Sequence, residues 1–219
     1  MSAGSYSDLS RCKIMNKYTL MHKNIVKIEN ILNKYTILLL ILHKKYIMFE
    51  SKRKRLSDRM KNEAVSLGLC AEWTAEWRDG STKDEMAEKY VRGIDFCIAH
   101  NWPSCDVIKR EFGDVMHSHG VYVDESVRLR NPGTVILNGH CDATITCDGY
   151  AVTNVYVRHK SKLSIVCRGF ANVRVNVLDD ACVTVDSEPP AKAFVYHYSG
   201  DVKASGNAVV RDRHDFKFS

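Results

Sequence analysis

The chain from Asn131 to Val210 reads NPGTVILNGHCDATITCDGY, AVTNVYVRHKSKLSIVCRGF, ANVRVNVLDDACVTVDSEPP and AKAFVYHYSGDVKASGNAVV, which are four units of 20 residues. The last three units begin alike, because Ala151, Ala171 and Ala191 occupy one column. Self-similarity at a fixed period indicates a repeat architecture in which each unit stacks on the next. This stretch therefore decides the fold.

Each unit contains two short runs in which apolar and polar residues alternate. The apolar residues fall on odd numbers: Val135, Leu137, Val155, Val157, Val173, Val175, Val177, Ala193 and Val195 in the first run, and Ala143, Ile145, Cys147, Leu163, Ile165, Cys167, Val183 and Val185 in the second. Alternation at period two is typical of a strand with one buried face. We predict rungs of two strands and two turns, stacked in parallel about 4.8 Å apart.

The turns and the last unit add detail to this prediction. Gly, Asn, Asp and Pro lie between the runs, where positive or fixed φ values are needed. In the fourth unit Val202 and Ala204 come one place early relative to Val183 and Val185. This offset predicts a one-residue deletion or register slip in the final rung. Terminal units of a stack are often atypical because they cap it.

The repeat resembles the β-solenoid head domains of GIN-type auto-transporter adhesins, and also the short solenoids of phage and mobile-element proteins. The resemblance is confined to the repeat and rests on a pattern such as NVRVNVLDDACVTV, residues 172–185. It implies a β-solenoid and a phage or mobile-element origin. The resemblance implies no catalytic residue in this chain.

Before the repeat, from Ser57 to His117, the apolar spacing becomes helical. We predict a helical domain at residues 48–120, a solenoid at 121–213 and a tail at 214–219. The predicted fold class is α+β, a small N-terminal helical domain followed by a short single-stranded β-solenoid (β-helix) with 20-residue rungs.

Capping residues and apolar spacing place the predicted helices. They are Ser57–Leu67, Ala71–Arg78, a helix capped by Ser81 that runs to His100, and a last helix capped by Ser104. Trp73 and Trp77 are four residues apart and share one helix face. They are either core residues or an exposed anchor for a partner.

Residues 1–47 hold eight Lys or Arg and two Asp or Glu, so they carry the whole formal charge of +6. The neutral remainder gives no argument for nucleic-acid binding. The segment is rich in Ile, Lys, Asn and Tyr, and Met48 offers a second start. We predict that residues 1–47 are translated upstream sequence, a leader outside the fold.

Residues 1–47 have three other interpretations. A membrane anchor is disfavoured because the apolar run Ile37–Leu42 is six residues long, whereas a span needs about 20. A signal peptide is disfavoured because the run lies deep in the chain and no small-residue cleavage site follows it. An amphipathic helix from Ile14 to Leu42 stays open. We predict no membrane span.

The chain has eight cysteines, which form no CxxC pair and no Cys–His spacing of a zinc site. We expect reduced thiols and a cytoplasmic protein, or a virion-associated one if it is phage-encoded. Cys147 and Cys167 should stack inside the solenoid as a ladder of small buried residues, with a disulfide or metal pair as the alternative. No cofactor and no metal site are predicted.

No enzyme is predicted, since the chain has no Gly-rich phosphate loop, GxSxG or HExxH motif. Asp179 and Asp180 are expected to form turns; a carbohydrate-active β-helix would need converging carboxylates instead. The other alternative is a regulatory or DNA-associated protein, whose helical domain is the reader and whose solenoid is an oligomerisation module. Residues 52–55, KRKR, favour it, and the mixed charges of the later helices oppose it.

A candidate partner surface lies on the outward face of the first strands. Its two columns are Ile136, Tyr156, Asn176 and Tyr196, and Asn138, Arg158, Leu178 and Tyr198. Tyr and Arg are enriched in binding hot spots, and contiguous apolar patches often mark interfaces. The predicted surface residues are Tyr156, Arg158, Leu178, Tyr196, Tyr198, Trp73 and Trp77.

We therefore predict a non-enzymatic structural or interaction protein whose solenoid binds a protein partner, in the first instance a second copy of itself. Stacked tyrosines also stabilise a sheet without a partner, which is the alternative role for the surface. If odd-numbered residues of these strands point inward and even-numbered residues point outward, Val175→Asp should unfold the solenoid. The outward change Asn176→Asp should be tolerated.

Overall fold

The structure is a computed structural model that describes the backbone of residues 6–218 and the side chains of residue 21 and residues 27–218. It divides into two units, Met1–Arg55 and Leu56–Ser219. The helices are α1 (Tyr6–Ser66), α2 (Ala71–Glu76), α3 (Lys83–Arg92), α4 (Ile94–Ala99), α5 (Cys105–Val107), a π-helical turn (Ile108–Phe112) and α6 (Val115–Ser118).

Eleven strands follow the helices in the described chain. They are β1 (Val121–Val123), β2 (Ser126–Arg130), β3 (Thr134–Asn138), β4 (Asp142–Cys147), β5 (Val152–Val157), β6 (Lys162–Cys167), β7 (Asn172–Val177), β8 (Cys182–Ser187), β9 (Lys192–His197), β10 (Asp201–Gly206) and β11 (Ala208–Asp212). A helical region followed by a parallel β-solenoid is the predicted α+β fold, and this prediction is confirmed.

The solenoid consists of two parallel sheets that face each other. The first-strand sheet has the order β1-β3-β5-β7-β9-β11, and the second-strand sheet has the order β10-β8-β6-β4-β2. Val155 pairs with Val135 and with Val175, so neighbouring rungs are 20 residues apart as predicted. The odd-numbered residues fill the interior, where Val155 and Val175 have no exposed surface.

The final rung contains the predicted deletion. Val202 pairs with Val183 and Ala204 with Val185, an offset of one residue from the earlier rungs. Gly200 lies in the shortened turn with φ +80°, and a Cβ there would be 2.3 Å from the Ala181 carbonyl oxygen. The turn can therefore be shortened only at a residue without a side chain.

The helical part differs from the predicted one at three main places. The first predicted helix, Ser57–Leu67, is the last part of α1, which begins at Tyr6. Thr82, not Ser81, caps α3: its hydroxyl accepts from the Glu85 backbone N–H while the Glu85 carboxylate accepts from the Thr82 N–H. The predicted long helix to His100 is broken at Gly93 into α3 and α4. Ser104 caps α5 as predicted, accepting from the Val107 N–H at 3.4 Å.

The core of the helices is continuous with the outer face of the first-strand sheet. Met86, Tyr90 and Met116 are buried in one cluster with Val121 and Ile136. Ile136 points away from the solenoid interior, yet it has no exposed surface. The helices therefore pack over the outer face of the first rungs of this sheet.

Helix α1 is continuous through Met48. Every described side chain from residue 27 to residue 49 is exposed. No helix within the described residues is long and apolar enough to cross a membrane. Whether residues 1–47 act as a leader stays a prediction.

Deleting residues 1–47 is expected to leave the melting temperature of the remaining chain unchanged. The side chains of residues 27–47 are exposed, so the deletion removes no buried apolar contact from the described part of the fold. Differential scanning calorimetry of the full chain and of residues 48–219 measures the effect. A clear drop in melting temperature on truncation would show that the segment belongs to the fold.

Candidate functional site

The predicted partner surface is in large part occupied by the chain's own helices. Arg158 and Leu178 are 3% and 4% exposed, and Tyr156 is half-buried against the helical core. The expectation that this whole face is solvent-exposed is therefore wrong for Arg158 and Leu178. For Arg158 the reason is its contact with Asn101 of the helical part, because such packing on an outward face cannot be detected from strand periodicity.

Arg158 lies in a buried polar network between the solenoid and the helices. Its Nη1 donates to Asn138 Oδ1 at 3.5 Å and its Nη2 to Asn101 Oδ1 at 3.3 Å, while Asn138 Nδ2 donates to the Tyr90 hydroxyl at 3.2 Å. Among the described residues its guanidinium has no carboxylate partner, and its Nε makes no hydrogen bond. Two amide oxygens and the nearby Tyr90 hydroxyl surround the guanidinium, so the side chain connects the solenoid to the helices through hydrogen bonds.

Burial raises the pKa values of two groups beside the Arg158 network. Desolvation raises the pKa of Tyr90 to about 12 and that of Cys97 to about 12. The nearby Arg158 charge opposes both shifts, because a cation favours the ionised phenol and thiol. Both groups are therefore neutral at physiological pH and serve as packing and hydrogen-bonding residues.

Asn176 also departs from the expected exposure. It is 6% exposed, and its Nδ2 donates to the Val155 carbonyl oxygen at 3.2 Å and to Asn154 Oδ1 at 3.4 Å. An aspartate there would lose the donor and would place a carboxylate beside a carbonyl oxygen. The prediction that Asn176→Asp is tolerated is therefore withdrawn.

The last two tyrosines of the predicted surface lie beside the C-terminal segment. Tyr198 contacts the rings of Phe216 and Phe218 at 5.7 and 4.9 Å between centroids. The Arg211 and Arg213 guanidinium groups each lie 5.9 Å from the centroid of the Tyr196 ring. Both tyrosines are half-buried, so intramolecular contacts use most of the surface that the sequence offered to a partner.

The two tryptophans divide between core and surface. Trp77 is 6% exposed, and its Nε1–H donates to the Ser57 hydroxyl at 3.1 Å, so it is a core residue. Trp73 is half-buried and carries the Arg92 guanidinium 5.1 Å from its ring centroid. Trp73 lines an apolar cavity together with Trp77, and the two do not form a joint exposed anchor.

Sequence reasoning missed an exposed apolar corner on the solenoid, formed by Tyr150, Val152 and Phe170. These side chains are 82%, 75% and 61% exposed. The Tyr150 and Phe170 rings stack with centroids 5.3 Å apart and planes 8° apart. The available signal was the Gly-aromatic pair that ends two successive units, Gly149–Tyr150 and Gly169–Phe170.

A second exposed apolar surface runs along α1. Its members alternate at spacings of four and three residues and are 52–66% exposed: Ile28, Leu32, Tyr35, Leu39, Leu42, Tyr46 and Phe49. This is the spacing of the a and d positions of a coiled coil. We call these residues the α1 seam.

The stacked cysteines form part of a hydrogen-bonded chain in the solenoid interior. Cys147 and Cys167 are Cα partners on β4 and β6. The Cys147 thiol donates to Thr153 Oγ1 at 3.3 Å, and Thr153 donates to the Pro132 carbonyl oxygen at 2.6 Å. Hydrogen bonding between the two thiols lowers the pKa of Cys147, and it raises the pKa of Cys167 together with burial. The pair is thus a buried ladder of free thiols, the expected arrangement.

The turn acids and histidines are mostly engaged by backbone and by one another. Asp179 adopts φ +56° and its carboxylate accepts from the His159 N–H at 2.8 Å, which makes it the predicted turn residue. His159 itself donates to Asn101 Oδ1 at 3.1 Å. One group of side chains has metal-ligand character among the described residues: His197, Asp212 and His214.

Comparison with known proteins finds no match to this chain. No family model, no curated protein and no solved structure matches the chain.

Proposed function

We propose that the chain is a non-enzymatic interaction protein whose β-solenoid binds a second copy through its exposed apolar corner. The carrying observation is the parallel pair of exposed rings, Tyr150 and Phe170, with Val152 beside them. Large exposed aromatic groups in register bury substantial apolar area on contact and are common interface anchors.

The charges next to the corner favour its burial. Asp148 and Arg168 each lie two positions before a corner residue, Tyr150 and Phe170, and both are paired within the chain. Arg130 donates to Asp148 at 2.7 Å, and Arg168 donates to Glu188 at 3.0 Å. Charges that are already paired cost less to desolvate than isolated ones. The charges around the corner therefore do not oppose its contact with a second copy.

The order of these charges supports a second copy as the partner. A two-fold axis between two rungs would place Tyr150 against Phe170 of the other copy. The same axis would place Asp148 opposite the second copy's Arg168. Apolar and electrostatic complementarity are then satisfied by one isologous contact.

The double change Tyr150→Ser with Phe170→Ser is expected to reduce the protein to its monomer mass in light scattering, with an unchanged β-sheet circular dichroism spectrum. The residues are exposed, so their loss should not affect the fold. The matched control, Tyr156→Ser with Tyr196→Ser, removes two half-buried rings and should lower the melting temperature while leaving the oligomer mass unchanged. A monomeric wild type, or an unchanged mass for the first variant, would overturn the proposal.

The α1 seam supports a second route to self-association, a coiled coil. In a parallel pair Lys45 and Glu50 would occupy facing g and e positions, which is a favourable charge pairing. The chain of residues 48–219 separates the two routes. It should keep the oligomer mass if the corner is the interface, and it should become monomeric if the α1 seam is.

A further inference from the structure

The end of the solenoid brings together three side chains that no sequence motif connects. His197 ends β9, Asp212 ends β11 and His214 follows two residues later. Because β11 stacks in parallel on β9, Asp212 is the direct Cα partner of His197. Asp212 Oδ1 lies 3.1 Å from His197 Nδ1 and 3.5 Å from His214 Nε2.

The second nitrogen of each imidazole fixes its tautomer. His197 Nε2 lies 3.0 Å from the Gly200 carbonyl oxygen, and His214 Nδ1 lies 3.1 Å from the Tyr198 carbonyl oxygen. A carbonyl oxygen only accepts, so both of these nitrogens carry the hydrogen. In the neutral imidazoles, His197 Nδ1 and His214 Nε2 are then lone-pair acceptors.

Three acceptors therefore face one another, two imidazole nitrogens and one carboxylate oxygen. Lone pairs at these distances repel one another, and a cation between them turns the repulsion into attraction. The ligand atoms all lie within 4.8 Å of one another. Bond lengths of 2.0–2.2 Å in a tetrahedral zinc site place neighbouring ligand atoms about 3.4 Å apart, close to the two distances observed here.

We propose that His197, Asp212 and His214 bind a divalent transition-metal ion of the Zn²⁺ type. Imidazole nitrogen suits Zn²⁺, Ni²⁺, Co²⁺ and Cu²⁺, whereas Mg²⁺ and Ca²⁺ prefer all-oxygen ligand sets. The two backbone carbonyls supply the outer hydrogen bonds that orient metal-bound histidines. The bound ion would link the last strand and the tail to the rung below.

A bound ion would hold the last strand, β11, against the open end of the stack. Its ligands come from β9, from β11 and from the segment after β11, so binding favours the docked last strand over a frayed one. A fourth position would face solvent, since Asp212 and His214 are exposed. The proposal is independent of the self-association of the solenoid.

The test uses the full chain free of any histidine tag. Zn²⁺ should raise the melting temperature, Mg²⁺ at the same concentration should not, and Co²⁺ should give a visible absorption band on binding. His214→Ala and Asp212→Asn, both at exposed positions, should lower the Zn²⁺ affinity more than about 100-fold relative to the wild type, beyond the effect of losing an outer-shell partner.

His140→Ala is the matched control, because His140 is an exposed histidine of the same solenoid outside this group. It should bind Zn²⁺ like the wild type. The circular dichroism of the metal-free variants shows whether they are folded. No Zn²⁺ effect on the wild type would overturn the proposal. A Zn²⁺ effect on His214→Ala and Asp212→Asn as large as that on the wild type would also overturn it.

Discussion

Replacing Val175 with aspartate is expected to destabilise the solenoid strongly. Val175 has no exposed surface, and its Cα partners in the neighbouring rungs are Val155 and Val195. A carboxylate at this position would be desolvated without a cation or a donor nearby. The loss is on the order of 3–5 kcal/mol, which for a chain of this size lowers the melting temperature by roughly 10 °C or more.

The matched control for this change is Asn172→Asp. Asn172 is exposed on the same strand, β7, and it pairs with Lys192 on β9. The substitution adds the same charge with almost no change of shape, so the melting temperature should stay within about 2 °C of the wild type. Similar melting temperatures for the two variants would mean that the inward and outward faces of β7 are assigned incorrectly.

Replacing Gly120 with alanine is expected to separate the helices from the first rung. Gly120 has φ +74°, and a Cβ there would be 2.1 Å from the Thr134 carbonyl oxygen. The Gly120 carbonyl accepts the Ile136 N–H at 2.9 Å, so the backbone cannot move away without breaking the β1–β3 ladder. Strain of about 1–2 kcal/mol from the left-handed conformation adds to this clash.

Gly149→Ala isolates the conformational part of that effect. Gly149 has φ +62°, and no atom lies within 4 Å of the position of an added Cβ. Its melting temperature should fall by about 2–8 °C, the shift expected for the left-handed strain alone. Thermal denaturation followed by circular dichroism compares the two variants. If Gly120→Ala costs no more than Gly149→Ala, the close approach of Gly120 to β3 does not contribute to stability.

The interior of the solenoid could be predicted from the sequence because its signal is local. Val135, Val155, Val175 and Val195 recur at one spacing, and a parallel stack converts equal spacing into direct contact. The one-residue deletion at Val202 was visible for the same reason. Periodicity reports which face of a strand is apolar, and that face is the core.

The outer face could not be predicted in this way, because its burial depends on contacts between distant segments. Asn138 resembles a solvated residue in the sequence, yet it is 1% exposed and bonded to Tyr90, 48 residues earlier. The same limit applies to Arg158, whose partner Asn101 lies 57 residues away. The Tyr and Arg residues that appeared to form a partner surface are largely internal to the fold.

The exposed corner and the histidine group were missed for different reasons. Tyr150 and Phe170 were assigned to turns, whose side-chain exposure follows no period. His197 and Asp212 are 15 residues apart because the last rung is shortened, so no metal-binding spacing marks them. Both features become visible only when the stacking of the rungs is known.

Hydrogen–deuterium exchange of the full chain at low and high protein concentration tests the proposed interface most directly. If the corner binds a second copy, raising the concentration should slow exchange in the turn peptides that contain residues 148–153 and 168–171. The peptides of β3 and β7 should exchange at unchanged rates. Protection confined to the strands that carry Tyr156 and Tyr196, or to α1, or no concentration dependence at all, would contradict the account.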